Sequence, residues 1–235
     1  MDFRRLPDEE RKLYLRLSQA HRLRFAPVGI ADIRLQILQI ADLEEFLGGK
    51  DPFADVSSFP FWVKLWDAAI VLAYLLRQLP HKPGQTLLEL GAGLGVPGLA
   101  AQAAGFTVTL SDYEQIILDF ERVSAAASGL PGARSVMLDW LNPPDLGRFS
   151  VLAGAEILFR EEFFEPLLTV FRQYLAPGGQ IFLAHDATRR SLPKFLALAE
   201  KDYHISVNEQ KIKRDGGEIT IIVNRLIPHG AANVR

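Results

Sequence analysis

The sequence has no cysteine in 235 residues. This excludes disulfide staples, thiolate nucleophiles and cysteine-ligated zinc, and it agrees with a reducing compartment without requiring one. Net charge is also scarce. Twenty-six Lys and Arg against 28 Asp and Glu leave −2 at pH 7, so no broad electrostatic surface draws the chain to nucleic acid or to an anionic membrane. Long apolar runs are missing too. The most apolar stretch, Ala68 to Leu76, is too short to span a bilayer, and Met1 to Ala20 is charged throughout and lacks a signal-peptide core. Repeats and low-complexity tracts are absent. The expectation is a cytoplasmic protein with neither a nucleic-acid nor a membrane partner; its oligomeric state is open.

What is present is an ordinary globular composition, 49% hydrophobic and 23% charged, in a length that suits one α/β domain with an appendage. Residues 1–59 read as that appendage. Pro7 with Asp8, Glu9 and Glu10 marks a helix start, and Leu13, Tyr14, Leu17 and Ala20 share a face opposite basic side chains. Ile33, Leu35 and Ile37 alternate as a strand. Asp42 and Glu45 suit a short capped helix, and Gly48 to Pro52 a loop. The basic first helix is expected to act as a lid or docking element rather than as a packed appendage.

Residues 60–235 follow a different rhythm. Helices are predicted at Asp67–Gln78, Val96–Ala104, Tyr113–Ser128, Glu162–Tyr174 and Ser191–Lys201. Strands fall between them at Thr86–Leu90, Phe106–Leu110, Ser135–Leu138, Val151–Ala155 and Gln180–Ala184. Such alternation predicts an α/β fold, a Rossmann-like doubly wound parallel sheet. His204–Lys213 and Glu218–Arg225, joined through Asp215-Gly216-Gly217, add a C-terminal antiparallel hairpin.

Between the first of these strands and its helix lies Leu88-Glu89-Leu90-Gly91-Ala92-Gly93-Leu94-Gly95. Glycine lets the backbone turn sharply and approach a ligand closely, and the following helix start offers free N–H groups. Two registers fit. Gly93, Gly95 and Gly98 match a dinucleotide pattern, whereas Glu89, Gly91, Gly93 and Gly95 match an S-adenosylmethionine pattern. Asp112, with Tyr113 beside it, ends the next strand where an acid suits ribose hydroxyls in either case. Glu89 tips the balance, because an acid before the loop suits a cationic sulfonium and ammonium better than a pyrophosphate. Asp139 and Trp140 add an acceptor for an adenine amino group and an indole to flank the ring.

With Leu65-Trp66-Asp67-Ala68 upstream and Gly154-Ala155-Glu156-Ile157-Leu158-Phe159 downstream, these blocks resemble the class I, seven-strand methyltransferases, and within them methyltransferase family 16, which contains many protein-lysine methyltransferases. The resemblance implies a seven-stranded sheet and cofactor contacts at Trp66, Gly91, Ala92, Gly93, Asp112, Trp140 and Ala155. Glu89, Gly95, Tyr113 and Asp139 complete the candidate set. The cofactor implied is S-adenosyl-L-methionine, leaving S-adenosyl-L-homocysteine, with no metal. In the family the fourth-strand motif more often carries Asp and Tyr where this chain has Glu156 and Phe159.

Methyl transfer requires alignment of a neutral nucleophile, and a lysine amine with a pKa of about 10.4 must first lose a proton. Glu156 is expected to orient that amine and Phe159 to form an apolar wall that lowers its pKa; the alternative is a helix cap and a core side chain. Asn142-Pro143-Pro144-Asp145 reads as a turn, since it precedes its strand and ends in Asp. His21, His81, His185, His204 and His229 show no ligand spacing, and His185-Asp186 reads as a surface loop, with a place at the substrate mouth as the alternative. Arg189 and Arg190 either meet an acidic partner or are solvated. The leading expectation is a protein-lysine methyltransferase with a protein partner. Small-molecule methylation, a non-catalytic cofactor-binding module and a nicotinamide oxidoreductase are the competing readings.

Overall fold

The computed structural model describes residues 1–48, 60–214 and 217–230. The chain opens with α1, Asp8–Ala20, where Pro7 stands at the cap rather than in the first turn. Leu13 and Leu17 are buried and Tyr14 stacks between Phe3 and Phe25, but Ala20 is exposed. The apolar face thus ends one turn earlier than the spacing predicts. An antiparallel hairpin follows, β1 at Leu23–Ile30 and β2 at Ile33–Ile40, paired from Leu23 opposite Ile40 to Ile30 opposite Ile33. The short helix α2 is Leu43–Leu47. Of the predicted loop at 48–52 only Gly48 belongs to the described residues.

The appendage is packed on the main domain, α1 burying Leu13 and Leu17 and the hairpin burying the apolar face of β2. Leu35, Ile37 and Leu38 are fully or almost fully buried in the same apolar cluster as residues of the main domain. A lid would have to expose those side chains each time it opened, at roughly 1.5–3 kcal/mol apiece.

The main domain begins with α3 at Asp67–Gln78 and continues through β3, Thr86–Leu90, and α4, Val96–Ala104. Next come β4 at Thr107–Asp112, α5 at Gln115–Ala127 and β5 at Arg134–Met137. Then β6 spans Phe149–Ala155, α6 Phe164–Tyr174, β7 Leu175–Asp186 and α7 Leu192–Ala199. The chain closes with β8 at Tyr203–Arg214 and β9 at Gly217–Pro228; Asp215 and Gly216 of the predicted turn lie outside the described residues.

The seven strands form one sheet in the order β5-β4-β3-β6-β7-β9-β8. The first five are parallel, whereas β9 runs antiparallel to β7 and β8 antiparallel to β9. Period-two alternation sends neighbouring side chains to opposite faces. Leu87 joins the core formed with α3, α4 and α5, while Leu88 and Leu90 join the core formed with α6 and α7. Both faces are therefore covered, as a parallel sheet requires. From β3 the chain winds outward through β4 and β5, then returns to β6 on the other side. That reversal leaves a crevice between the carboxyl ends of β3 and β6, where open α/β sheets bind ligands.

The appendage is fastened to α5. Backbone N–H groups of Gln36 and Leu38 donate to the hydroxyls of Ser128 and Ser124, each at 2.9 Å. Arg16 pairs with Asp119 at 2.8 Å and Arg122 with Glu10 at 3.3 Å.

Candidate active site

The loop after β3 depends on backbone conformations that favour glycine. Gly91, Gly93 and Gly95 have φ of +59°, +55° and +70°, the left-handed region that L side chains rarely occupy. A Cβ on Gly91 would lie 3.0 Å from Ile157 and 3.7 Å from the Trp140 indole; one on Gly93 would lie 3.5 Å from the Trp62 backbone. The loop is thus walled by Trp140 and Ile157 on one side and by Trp62 on another. Trp62 is itself buried and packs edge-on against Phe120 at 5.0 Å. Ala92 is buried, and its N–H donates to Ser111 O at 2.9 Å. Gly95 caps α4.

Two acids anchor this loop. Asp112, at the end of β4, accepts the Gly93 N–H at 2.9 Å and the Tyr113 N–H at 2.8 Å. Burial pushes its carboxyl up to about 6, against the pull of those two N–H groups. Glu89 is 1% exposed and accepts the Gly98 N–H at 2.7 Å. Burial raises it to about 8; the Gly98 bond opposes the rise and the Asp112 charge adds to it. Glu89 was expected to face the ligand's cationic end. It stands instead behind the loop, its carboxyl turned onto the start of α4. Gly98, which the dinucleotide register requires, serves packing: a Cβ there would meet Leu110 at 2.2 Å.

A third acid, Glu121 on α5, escaped the sequence reading. It is fully buried beneath Gly95, its Cγ 3.6 Å from where a Cβ of that glycine would stand. Burial drives its carboxyl well above the usual range, Asp112 and Glu89 push the same way, and the Ser135 hydroxyl opposes them. Its position on a helix face of mixed character offered no motif by which to find it.

Asp139 is exposed and turned into its own turn, accepting the Leu141 N–H at 2.9 Å. Its other oxygen lies 3.4 Å from the Asn142 side-chain nitrogen, and an exposed carboxylate accepts several hydrogen bonds, so the turn leaves it acceptor capacity. Trp140 does border the loop, at Gly91, and packs edge-on against Phe163 at 5.9 Å. Tyr113 is 67% exposed. Asn142 follows as a turn, its N–H on Asp139 O.

Across the crevice, β6 ends at Ala155, which is half-buried, and Glu156 follows with φ +58°. A non-glycine residue in that region is strained, by about 1–3 kcal/mol, and such strain clusters at functional positions. The Glu156 N–H is held by Ala184 O at 2.9 Å. Its side chain accepts the Asp186 N–H at 2.7 Å and is ion-paired with Arg189. Glu156, Asp186, Arg189 and Arg190 line a cleft of about 470 Å³ together with Lys64 and Trp66.

An aromatic row borders this end. Phe159, 40% exposed, packs against Phe61 at 5.5 Å, and Phe61 against Trp66 at 6.1 Å. The Trp66 indole N–H donates to Phe61 O at 2.9 Å, and the Lys64 ammonium lies 4.4 Å from its ring. Phe61 was not foreseen; an aromatic beside two others in Phe59-Pro60-Phe61-Trp62 has no spacing that separates rim from core. His185, expected on a surface loop, is fully buried in β7. Burial drops its imidazole to about 3, Arg189 adding to the effect, so the ring is neutral and takes no part in the rim.

The residues fit S-adenosylmethionine. The loop after β3 turns on three glycines in the left-handed region, an acid ends β4, and an indole borders the loop at Gly91. A family described as lysine methyltransferase matches residues 61–202. EEF1A lysine methyltransferase 3 of Mus musculus is 34% identical over 161 residues, 62% of this chain and 69% of that protein. Histone-arginine methyltransferase METTL23 of Mus musculus is 34% identical over 116 residues, 44% of either chain. Among solved structures, a SAM-dependent methyltransferase from Agrobacterium tumefaciens shares the fold with a TM-score of 0.59 at 18% identity, over 87% of this chain and 70% of that one.

Proposed function

The chain belongs to the lysine methyltransferase family, and on that premise we propose that it methylates the side-chain nitrogen of a lysine in a protein substrate. It is an S-adenosylmethionine-dependent methyltransferase. The observation that carries the finer reading is the position of Glu156: a carboxylate just past the end of β6, lining a cleft with Trp66, which continues into the aromatic row of Phe61 and Phe159.

Gly91, Gly93 and Gly95 hold the backbone open for the cofactor. Asp112 organises the loop and offers a carboxylate to ribose hydroxyls, and Trp140 borders the space for the base. When bound, the cofactor supplies an electrophilic methyl group on a sulfonium. The rest of the task is alignment, deprotonation and exclusion of water. Glu156 orients a cationic side chain by charge. Phe159 and Phe61 form an apolar wall that favours the neutral amine and so lowers its pKa.

The relatives' names support a protein substrate, and they differ in acceptor, lysine in one and arginine in the other. The test is transfer of labelled methyl from S-adenosylmethionine into a lysate, with and without proteolysis, followed by amino-acid analysis of the labelled product. Label released by protease as methyl-lysine is the expected result. Label in methyl-arginine would move the acceptor to a guanidinium, and protease-resistant label would defeat a protein substrate altogether.

A further inference from the structure

The cleft that should receive a cationic acceptor already holds a cation of the chain itself. The carboxylate of Glu156 has one oxygen on the Asp186 N–H and the other on the Arg189 guanidinium. Arg189 comes from the turn after β7, which is braced without that side chain. The Arg189 N–H donates to Asp186 O at 3.0 Å. The Thr188 N–H and hydroxyl both donate to Asp186 Oδ1, at 2.8 and 2.6 Å, and the Ala187 N–H donates to Thr220 O at 2.9 Å. The guanidinium is therefore free to leave without unravelling the turn.

The two partners are unequally placed. The Glu156 side chain is 9% exposed and that of Arg189 is 28% exposed. Glu156 is fixed by its strained φ, by Ala184 O and by the Asp186 N–H, whereas Arg189 reaches in from the mouth on a flexible stem. A buried carboxylate left without a counter-charge is costly, so the site requires a cation in either state. Glu156 does not have to move to exchange one cation for another.

We propose that Arg189 is a gate on the acceptor site, its guanidinium holding the place on Glu156 that the acceptor's own cationic group takes. An ammonium or guanidinium can displace it and leave Glu156 paired. A neutral acceptor cannot, because displacing Arg189 would strand the carboxylate. The gate selects cationic acceptors and makes each of them compete with an intramolecular rival, which lowers apparent affinity by the fraction of time the gate is closed. The proposal rests on Glu156 as the acceptor-binding residue.

The test measures binding of n-butylammonium, a lysine side-chain mimic, to the full chain saturated with S-adenosylhomocysteine, with n-butanol as the neutral probe. Arg189→Ala is expected to bind n-butylammonium about fivefold or more tightly than the wild type. Arg189→Lys, which keeps a rival cation, is expected to stay near the wild type. The gain should vanish in the double variant Arg189→Ala with Glu156→Gln, and n-butanol should gain nothing. Equal affinity in wild type and Arg189→Ala would overturn the gate, as would a gain that survives Glu156→Gln. A bracing role alone would appear as a lower Tm in Arg189→Ala without tighter n-butylammonium binding, and that also overturns it. These readouts need no methyl transfer, so they stand apart from the lysate experiment that tests the protein substrate.

Discussion

Glu89 accepts a hydrogen bond at 2.7 Å from the backbone N–H of Gly98, nine residues further along. The bond joins the strand before the glycine loop to the helix after it and closes the loop like a clasp. It also brings Gly98 hard against the sheet, where a Cβ would meet Leu110 and Glu89.

Gly98→Ala should therefore destabilise the protein. The new Cβ would stand 2.2 Å from Leu110 Cδ2 and 2.6 Å from Glu89 Oε2, and overpacking of this kind costs about 1–3 kcal/mol. Urea unfolding followed by circular dichroism measures it. An unchanged midpoint would mean that α4 moves away from the sheet at no cost.

Asp112→Ala removes the acceptor of the Gly93 N–H and the carboxylate at the end of β4. Affinity for S-adenosylhomocysteine by calorimetry should fall about tenfold or more, roughly 1.4 kcal/mol. Wild-type affinity would show that the loop holds its shape and its ligand without this acid.

The buried titratable groups give stability a two-sided pH dependence. His185 is lowered to about 3 in the folded chain. The unfolded chain therefore takes up its proton first, and the contribution present above pH ~6.5 is lost as pH falls toward 3. Glu89 is raised to about 8. Its contribution is complete below pH ~4.3, the unfolded value, and is lost as pH rises through 8. Glu89→Gln should flatten the alkaline side of a Tm-versus-pH curve, and His185→Phe the acid side. Unchanged curves in either variant would assign that side to other groups.

Phe61→Ala breaks the row from Trp66 to Phe159. Labelled methyl incorporation into a lysate should drop about tenfold, while affinity for S-adenosylhomocysteine holds. A parallel loss of cofactor affinity would place Phe61 in the cofactor pocket rather than on the acceptor wall.

Most of the main domain was legible because its strands and helices carry clean period-two and 3.6-residue patterns. The strand β1 was not, and Pro27 and Gly29 explain why. Both weaken a strand signal, yet Pro27 is tolerated because, among the described residues, β1 pairs with β2 alone and its other edge carries no strand. The start of β7 was hidden likewise by Ala176-Pro177-Gly178-Gly179. At the site, the glycine loop and Glu156 were visible as local motifs. The destination of a side chain was not: the Glu89 carboxyl is turned onto the Gly98 N–H behind the loop, and one oxygen of Asp139 is on the Leu141 N–H. Arg189 meets Glu156 from 33 residues away, a separation at which no spacing rule operates.

The fastening of β2 to α5 also bears on synthesis. Leu38 donates to Ser124 across 86 residues, so the hairpin leaves the ribosome long before its partner helix exists. At about 5–20 residues per second the wait is roughly 4–17 s. During that interval Leu35, Ile37 and Leu38 lack the α5 face that they pack against in the finished fold, on a strand with an open edge. Apolar-to-charged changes in β2 should therefore act on yield from the ribosome as well as on the finished fold.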